Sequence, residues 1–252
     1  MFIIIYSFLL SCKQSRKAPS SPVQTAIQGH SYESTSKLSL EYKIRQPSIK
    51  SEETPILILL HGLGSNESDL FSFAQHIDNR MLVVSVRAPI RLTEDRYSWY
   101  SLSRNGTDWL FNDKEVLKAS ETILQFVDEL AKAYNLEGSP IYLGGFSQGA
   151  IVSLGTALLH PDRIRGAISM SGQLYPVFID AYRRNYTTLE LLVTHGRKDG
   201  VLPFSQIEKD VEILKQKGLN PEVYYYDSAH NISNENFKDL MNWLTRSLDK
   251  NS

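Results

Sequence analysis

Apolar and polar positions divide the chain into short apolar runs separated by longer segments of helical period. Residues 38–44 alternate, as a half-exposed strand at a sheet edge does. Residues 55–60 and 82–86 are apolar without alternation, as expected of parallel strands covered on both faces. Between them, residues 68–77 are predicted to be one helix. Asn112 with Glu115 three positions on signals a second helix start. Val116, Ala119, Ile123, Phe126, Val127, Leu130 and Tyr134 then recur every three or four residues, marking its buried face. The apolar run 141–143 leads into a helix over 150–159. Strands follow at 164–170, 189–193 and 222–226, with a helix over 204–217. Phe237, Leu240, Met241, Leu244 and Leu248 form one face of a closing helix. Two aromatic stretches, 88–111 and 172–188, show no period and are expected to be irregular. Strands alternating with helices predict an α/β fold, a mostly parallel doubly wound sheet with helices on both faces. No linker interrupts the pattern, so residues 37–252 are expected to form a single domain.

Gly145-Phe146-Ser147-Gln148-Gly149 sits between an apolar run and a helix. A strand, a tight Gly-x-Ser-x-Gly turn and a helix resemble the nucleophile elbow of the α/β-hydrolases. The turn strains the serine backbone and lifts its hydroxyl above the sheet, while residues two before and two after must be small. The helix behind it points N–H groups at the place where an oxyanion would form.

A serine hydroxyl needs a base to take its proton and a third group to orient that base. On this architecture the order along the chain is serine, acid, histidine, and the groups sit at the carboxyl ends of the strands. Of the six histidines, His230 follows the last strand and precedes the last helix, where the base belongs. His160 ends the helix after the elbow, His76 sits on a helix, and His30 precedes the domain. His61 and His195 each precede a glycine at a strand end and read as structural turn residues. Asp199, after the 189–193 strand, is placed to be the acid; its rival is Asp227, three residues before His230. The oxyanion donors are expected to be the backbone N–H of Gln148 and that of Leu63, in the loop His61-Gly62-Leu63-Gly64.

These segments together resemble the phospholipase/carboxylesterase family of α/β-hydrolases, which includes the acyl-protein thioesterases. The matching stretches are Leu59-Leu60-His61-Gly62-Leu63-Gly64, Arg87-Ala88-Pro89, Trp99-Tyr100, Gly144 to Ala150, Met170-Ser171-Gly172, His195-Gly196 through Asp199 to Pro203, and Ala229-His230. The resemblance implies Ser147, Asp199 and His230 as a triad that hydrolyses carboxylic esters or thioesters, with no metal or organic cofactor. Where an acidic residue often follows the Gly-Leu-Gly turn, this chain has Ser65. Apolar side chains of the two aromatic stretches are expected to take the acyl group; Trp99, Leu174 and Val201 are the candidates. Two other readings are a non-catalytic surface lipoprotein using the fold as a binding module, and a serine peptidase.

The N-terminus changes the picture of location. Residues 2–10 form an apolar run too short to span a bilayer but suited to a secretory signal, although no Lys or Arg precedes it. Leu9-Leu10-Ser11-Cys12 resembles a bacterial lipobox, and Cys12 is the sole cysteine. Residues 1–11 are therefore expected to be a lipoprotein-type signal peptide, Cys12 the lipidation site, and 12–36 a flexible polar tether. That leader is foreign to the cytosolic members of the family and predicts an exported lipoprotein anchored to a membrane of the bacterial cell envelope. The remaining composition is ordinary: of 252 residues 42% are hydrophobic and 22% charged. A net charge of -1 gives no electrostatic reason to expect a nucleic-acid partner.

Overall fold

The computed structural model describes residues 37–49, 53–105, 108–180 and 188–250. Strand β1 (Tyr42–Arg45) is followed by β2 (Ile56–Leu60), helix α1 (Ser68–Phe71), a 3-10 turn (Ala74–His76) and β3 (Leu82–Val86). Two hairpins come next, β4 (Ile90–Arg91) with β5 (Tyr97–Ser98) and β6 (Leu102–Asn105) with β7 (Asp108–Phe111). The chain continues through α2 (Asp113–Tyr134), β8 (Ile141–Phe146), α3 (Gln148–Leu159), β9 (Gly166–Met170) and α4 (Pro176–Asp180). It closes with β10 (Glu190–Gly196), α5 (Phe204–Gln216), β11 (Glu222–Tyr226) and α6 (Asn234–Asp249).

Seven strands form one sheet in the order β1-β3-β2-β8-β9-β10-β11. Only β1, at one edge, runs antiparallel to its neighbour; the other five pairings are parallel. Side chains of β2 alternate between two cores. Ile56, Ile58 and Leu60 join the one packed by α2, α3, α4 and α5, and Leu57 and Leu59 the one packed by α1 and α6. Both faces of the sheet are thus covered by helices, which explains the unbroken apolar runs. After β2 the chain turns outward to β3, then returns past β2 to lay down β8 on the other side. The carboxyl ends of β2 and β8 therefore flank the point where strand order reverses, where such sheets bind ligands.

Four local expectations are corrected. The edge strand begins at Tyr42, not at residue 38, because Ser39 N–H is held by the Glu129 carboxylate of α2 instead of by β3. The single helix predicted over 68–77 is two short turns. Ser72 Oγ donates to the Asp69 carbonyl at 2.7 Å, and Phe73 N–H bonds Leu70 three residues back, so the ladder tightens and stops. The 88–111 stretch holds the β4–β5 and β6–β7 hairpins, and the 172–188 stretch contains α4. Elsewhere the start signal holds: Asn112 caps α2, its side chain accepting from Lys114 N–H. Among the described residues no helix is long and apolar enough to cross a membrane. The proposed leader, Cys12 and the tether lie outside the described residues.

Candidate active site

Ser147 stands between β8 and α3 with φ 53° and ψ -117°, a backbone conformation that L residues rarely adopt. The two flanking glycines make it possible for different reasons. A Cβ on Gly145 would lie 2.3 Å from the backbone of Gly149, and one on Gly149 would lie 2.0 Å from the Leu60 carbonyl oxygen. The first allows the turn to close on itself; the second allows α3 to sit against the end of β2. Ser147 N–H bonds the Met170 carbonyl at 2.9 Å, fixing the turn to β9 as well.

The imidazole of His230 reaches Ser147 from the loop between β11 and α6. Its Nδ1 lies 2.6 Å from Asp199 Oδ2 and its Nε2 2.9 Å from Ser147 Oγ. An ionised carboxylate can only accept, so Nδ1 carries the proton and Nε2 is left to accept the serine hydroxyl. Phe146 lies beside the ring, with centroids 4.9 Å apart. Gly196, the last residue of β10, is what brings the two loops together. A Cβ there would lie 2.3 Å from the Ala229 carbonyl oxygen, and Lys198 N–H donates to Ser228 across the same gap.

The Asp199 side chain is wholly buried. Burial alone would push its pKa up, but the bond from His230 and the N–H groups of Leu202 and Val201 outweigh it. The carboxyl is held below its ordinary value. Those amides donate to Oδ1 at 2.9 and 2.8 Å. Buried His195 adds a further neighbour, its Nε2 lying 3.0 Å from the Leu202 carbonyl and 3.3 Å from Asp199 Oδ2. Asp227, the rival acid, pairs instead with Lys198 at 2.8 Å on an exposed surface.

The Gln148 backbone N–H opens α3 and so has no carbonyl four residues back within the helix. Its side chain, buried, is held at both the oxygen and the nitrogen. Oε1 accepts from Trp99 N–H at 2.9 Å and Ser98 Oγ at 3.1 Å, and Nε2 donates to the Tyr100 carbonyl at 2.9 Å. The loop after β2 passes over the nucleophile: a Cβ on Gly62 would lie 3.5 Å from Ser147 Cβ. Leu63 follows it, 40% exposed.

Of the three candidate acyl-binding residues, Trp99 and Leu174 are packed into the larger core, while Val201 is 39% exposed. Trp99 spends its indole N–H on the His61 carbonyl at 2.9 Å, and Leu174 N–H is held by the buried Asp210 carboxylate at 2.8 Å. Burial pushes the Asp210 carboxyl above its ordinary value. The Gln148 side chain and the imidazoles of His61 and His195 were not singled out as site residues from the sequence. The only available signal was polar residues adjoining glycines at strand ends. Among the described residues no three of His, Cys, Asp and Glu gather as a metal site would require.

A doubly wound sheet carrying a strained serine after its central strand, with an imidazole and a buried carboxylate in line, defines the α/β-hydrolase class. Within it, the chain belongs to the phospholipase/carboxylesterase family, whose model matches residues 43–248. It is 28% identical over 228 residues to acyl-protein thioesterase 1 of Candida albicans, covering 82% of this chain and 98% of that one. It is 22% identical over 199 residues to the putative hydrolase MhqD of Bacillus subtilis, covering 79% of this chain and 96% of that one. Among solved structures, the Bacillus cereus carboxylesterase superposes with a TM-score of 0.70 at 21% identity, over 83% of this chain and 95% of that one. Esterase PE8 does so with a TM-score of 0.71 at 23% identity, over 82% and 98%. These two share the fold.

Proposed function

We propose that the protein is a serine hydrolase of carboxylic esters or thioesters, working through an acyl-enzyme on Ser147. The observation that carries this reading is the continuous relay from Ser147 Oγ through His230 to Asp199 at 2.9 and 2.6 Å. Membership of the phospholipase/carboxylesterase family supports the class of substrate. His230 Nε2 takes the Ser147 proton as Oγ attacks the acyl carbon, and the carbonyl oxygen becomes an oxyanion. The Leu63 and Gln148 N–H groups hold that charge, each contributing about 3 kcal/mol in the transition state. Protonated His230 hands its proton to the leaving alcohol or thiol as the tetrahedral species collapses. Water then attacks the acyl-enzyme by the same route, giving the free acid and restoring Ser147. Asp199 keeps Nδ1 protonated and the ring in line throughout. Leu63 and Val201, both exposed and close in sequence to Gly62 and Asp199, would offer apolar surface to an acyl chain.

Purified protein assayed on a series of chromogenic acyl esters and thioesters of rising chain length tests the reading. Hydrolysis by wild type and its loss in Ser147→Ala is the expected result; equal rates in the two would overturn it. We further propose that Cys12 carries lipid and anchors the exported enzyme to a membrane, with residues 1–11 as signal peptide and 12–36 as tether. Metabolic labelling with a fatty-acid analogue should mark the wild type and not Cys12→Ser; an unlabelled wild type ends that proposal.

A further inference from the structure

The mechanism above needs the Leu63 N–H to face the acyl oxygen, yet the loop that carries it is glycine-rich and partly exposed. Something must hold its peptide planes. Gly62 C=O and Leu63 N–H belong to one peptide unit, and no peptide bond among the described residues is cis. The two groups therefore point in opposite directions, and fixing one fixes the other. The Gly62 carbonyl is gripped twice: His61 Nδ1 lies 2.7 Å from it, and Ser65 N–H donates to it at 3.2 Å.

The tautomer of His61 follows from its other nitrogen. Ala88 N–H, which can only donate, lies 3.1 Å from His61 Nε2. Nε2 is thus the acceptor, and Nδ1 carries the proton that it gives to Gly62. The ring is wholly buried, and burial depresses its pKa, which keeps the neutral form that this pattern requires. The main chain of His61 is tied down as well, since its carbonyl accepts from the Trp99 indole. Trp99 in turn gives its backbone N–H to the Gln148 side chain. One hydrogen-bonded frame therefore joins the loop bearing the first oxyanion donor to the residue bearing the second.

We infer that His61 is a positioning residue for the oxyanion hole: by holding the Gly62 carbonyl it turns the Leu63 N–H of the same peptide unit towards the acyl oxygen on Ser147. It touches neither substrate nor nucleophile. The inference rests on the serine-hydrolase reading above, and its test separates the two.

Three variants divide the functions of the ring. His61→Leu removes both hydrogen bonds. His61→Gln keeps an acceptor near Ala88 N–H and loses the donor to Gly62. His61→Asn keeps an amide donor at the Nδ1 position. With a short-chain chromogenic ester, the Leu and Gln variants should lose at least about ten-fold in kcat with KM little changed, and Asn should recover most of the loss. Affinity for an alkyl trifluoromethyl ketone, whose hemiketal oxyanion needs the same donors, should fall in step with kcat. Thermal melting accompanies each assay, because a merely structural histidine would lower stability and active fraction together without this split. A crystal structure of His61→Leu should show the Gly62 carbonyl rotated from its wild-type direction. Unchanged kcat in a folded His61→Leu, or equal losses in all three variants, would overturn the inference alone. A wild type without Ser147-dependent hydrolysis would overturn the reading of the site and this inference with it.

Discussion

Asp199 and Asp227 differ in what surrounds them, and that difference decides which can orient an imidazole. Asp199 is buried, accepts two backbone amides on Oδ1, and turns Oδ2 to His230. Asp227 lies in water against a lysine, an arrangement worth little. Asp199→Asn should therefore lower kcat by about 10³ to 10⁴, since an amide that donates to Nδ1 stabilises the wrong tautomer. Asp227→Asn should leave kcat within about two-fold and melting within experimental scatter, as surface substitutions usually do. Steady-state kinetics on the pair, side by side, checks both. That Asp199 rather than Asp227 would lie against His230 was legible in the sequence from position relative to strand ends. What His61, Gln148 and His195 do was not. Apart from Gly62, which adjoins His61, their hydrogen-bond partners lie 27, 49 and 7 residues away, and no local pattern encodes such a pairing.

The inner strands were legible because burial on both faces demands apolar runs, and β3 falls on the residues read for it; the half-buried edge strand β11 does so as well. The hairpin strands β4 to β7 were not, since they are two to four residues long and owe their pairing to tertiary contact rather than alternation. The 68–77 segment misled for a related reason: apolar period promised a helix, but a serine side chain took a carbonyl that the ladder needed. Element ends matter most at β10. Gly196→Ala would drive a methyl to within 2.3 Å of the Ala229 carbonyl and push apart the loops carrying Asp199 and His230. We expect a stability loss of about 2 kcal/mol or more in urea denaturation. The residual folded protein should have kcat reduced further than stability alone accounts for, because the imidazole moves with its loop.

At the scale of the whole molecule, two buried histidines should make the fold sensitive to mild acid. Burial lowers the pKa of both His61 and His195, so below about pH 6.5 the unfolded chain binds protons that the native one refuses. The stability they contribute is complete above that value and is lost as pH falls towards their native pKa values. Glu67 and Asp69 beside His61, and Asp199 beside His195, work against this by favouring charge, while Arg87 and His230 reinforce it. Asp210, whose pKa burial raises, acts in the opposite sense. Unfolding free energy measured by urea titration should fall between pH 6.5 and 5.5 with a slope of up to about 1.4 kcal/mol per pH unit for each histidine. A flat profile would show that both rings take up protons in the native state as readily as in the unfolded chain.

On the proposed reading, Ser147 is made nucleophilic by the two side chains aligned behind it. Incubation with a fluorophosphonate followed by peptide mass spectrometry tests it most directly. A single adduct is expected on the peptide containing Ser147, absent in Ser147→Ala and formed at least about 100-fold more slowly in His230→Gln. An adduct on another residue, no adduct on folded wild type, or equal labelling of His230→Gln would contradict it.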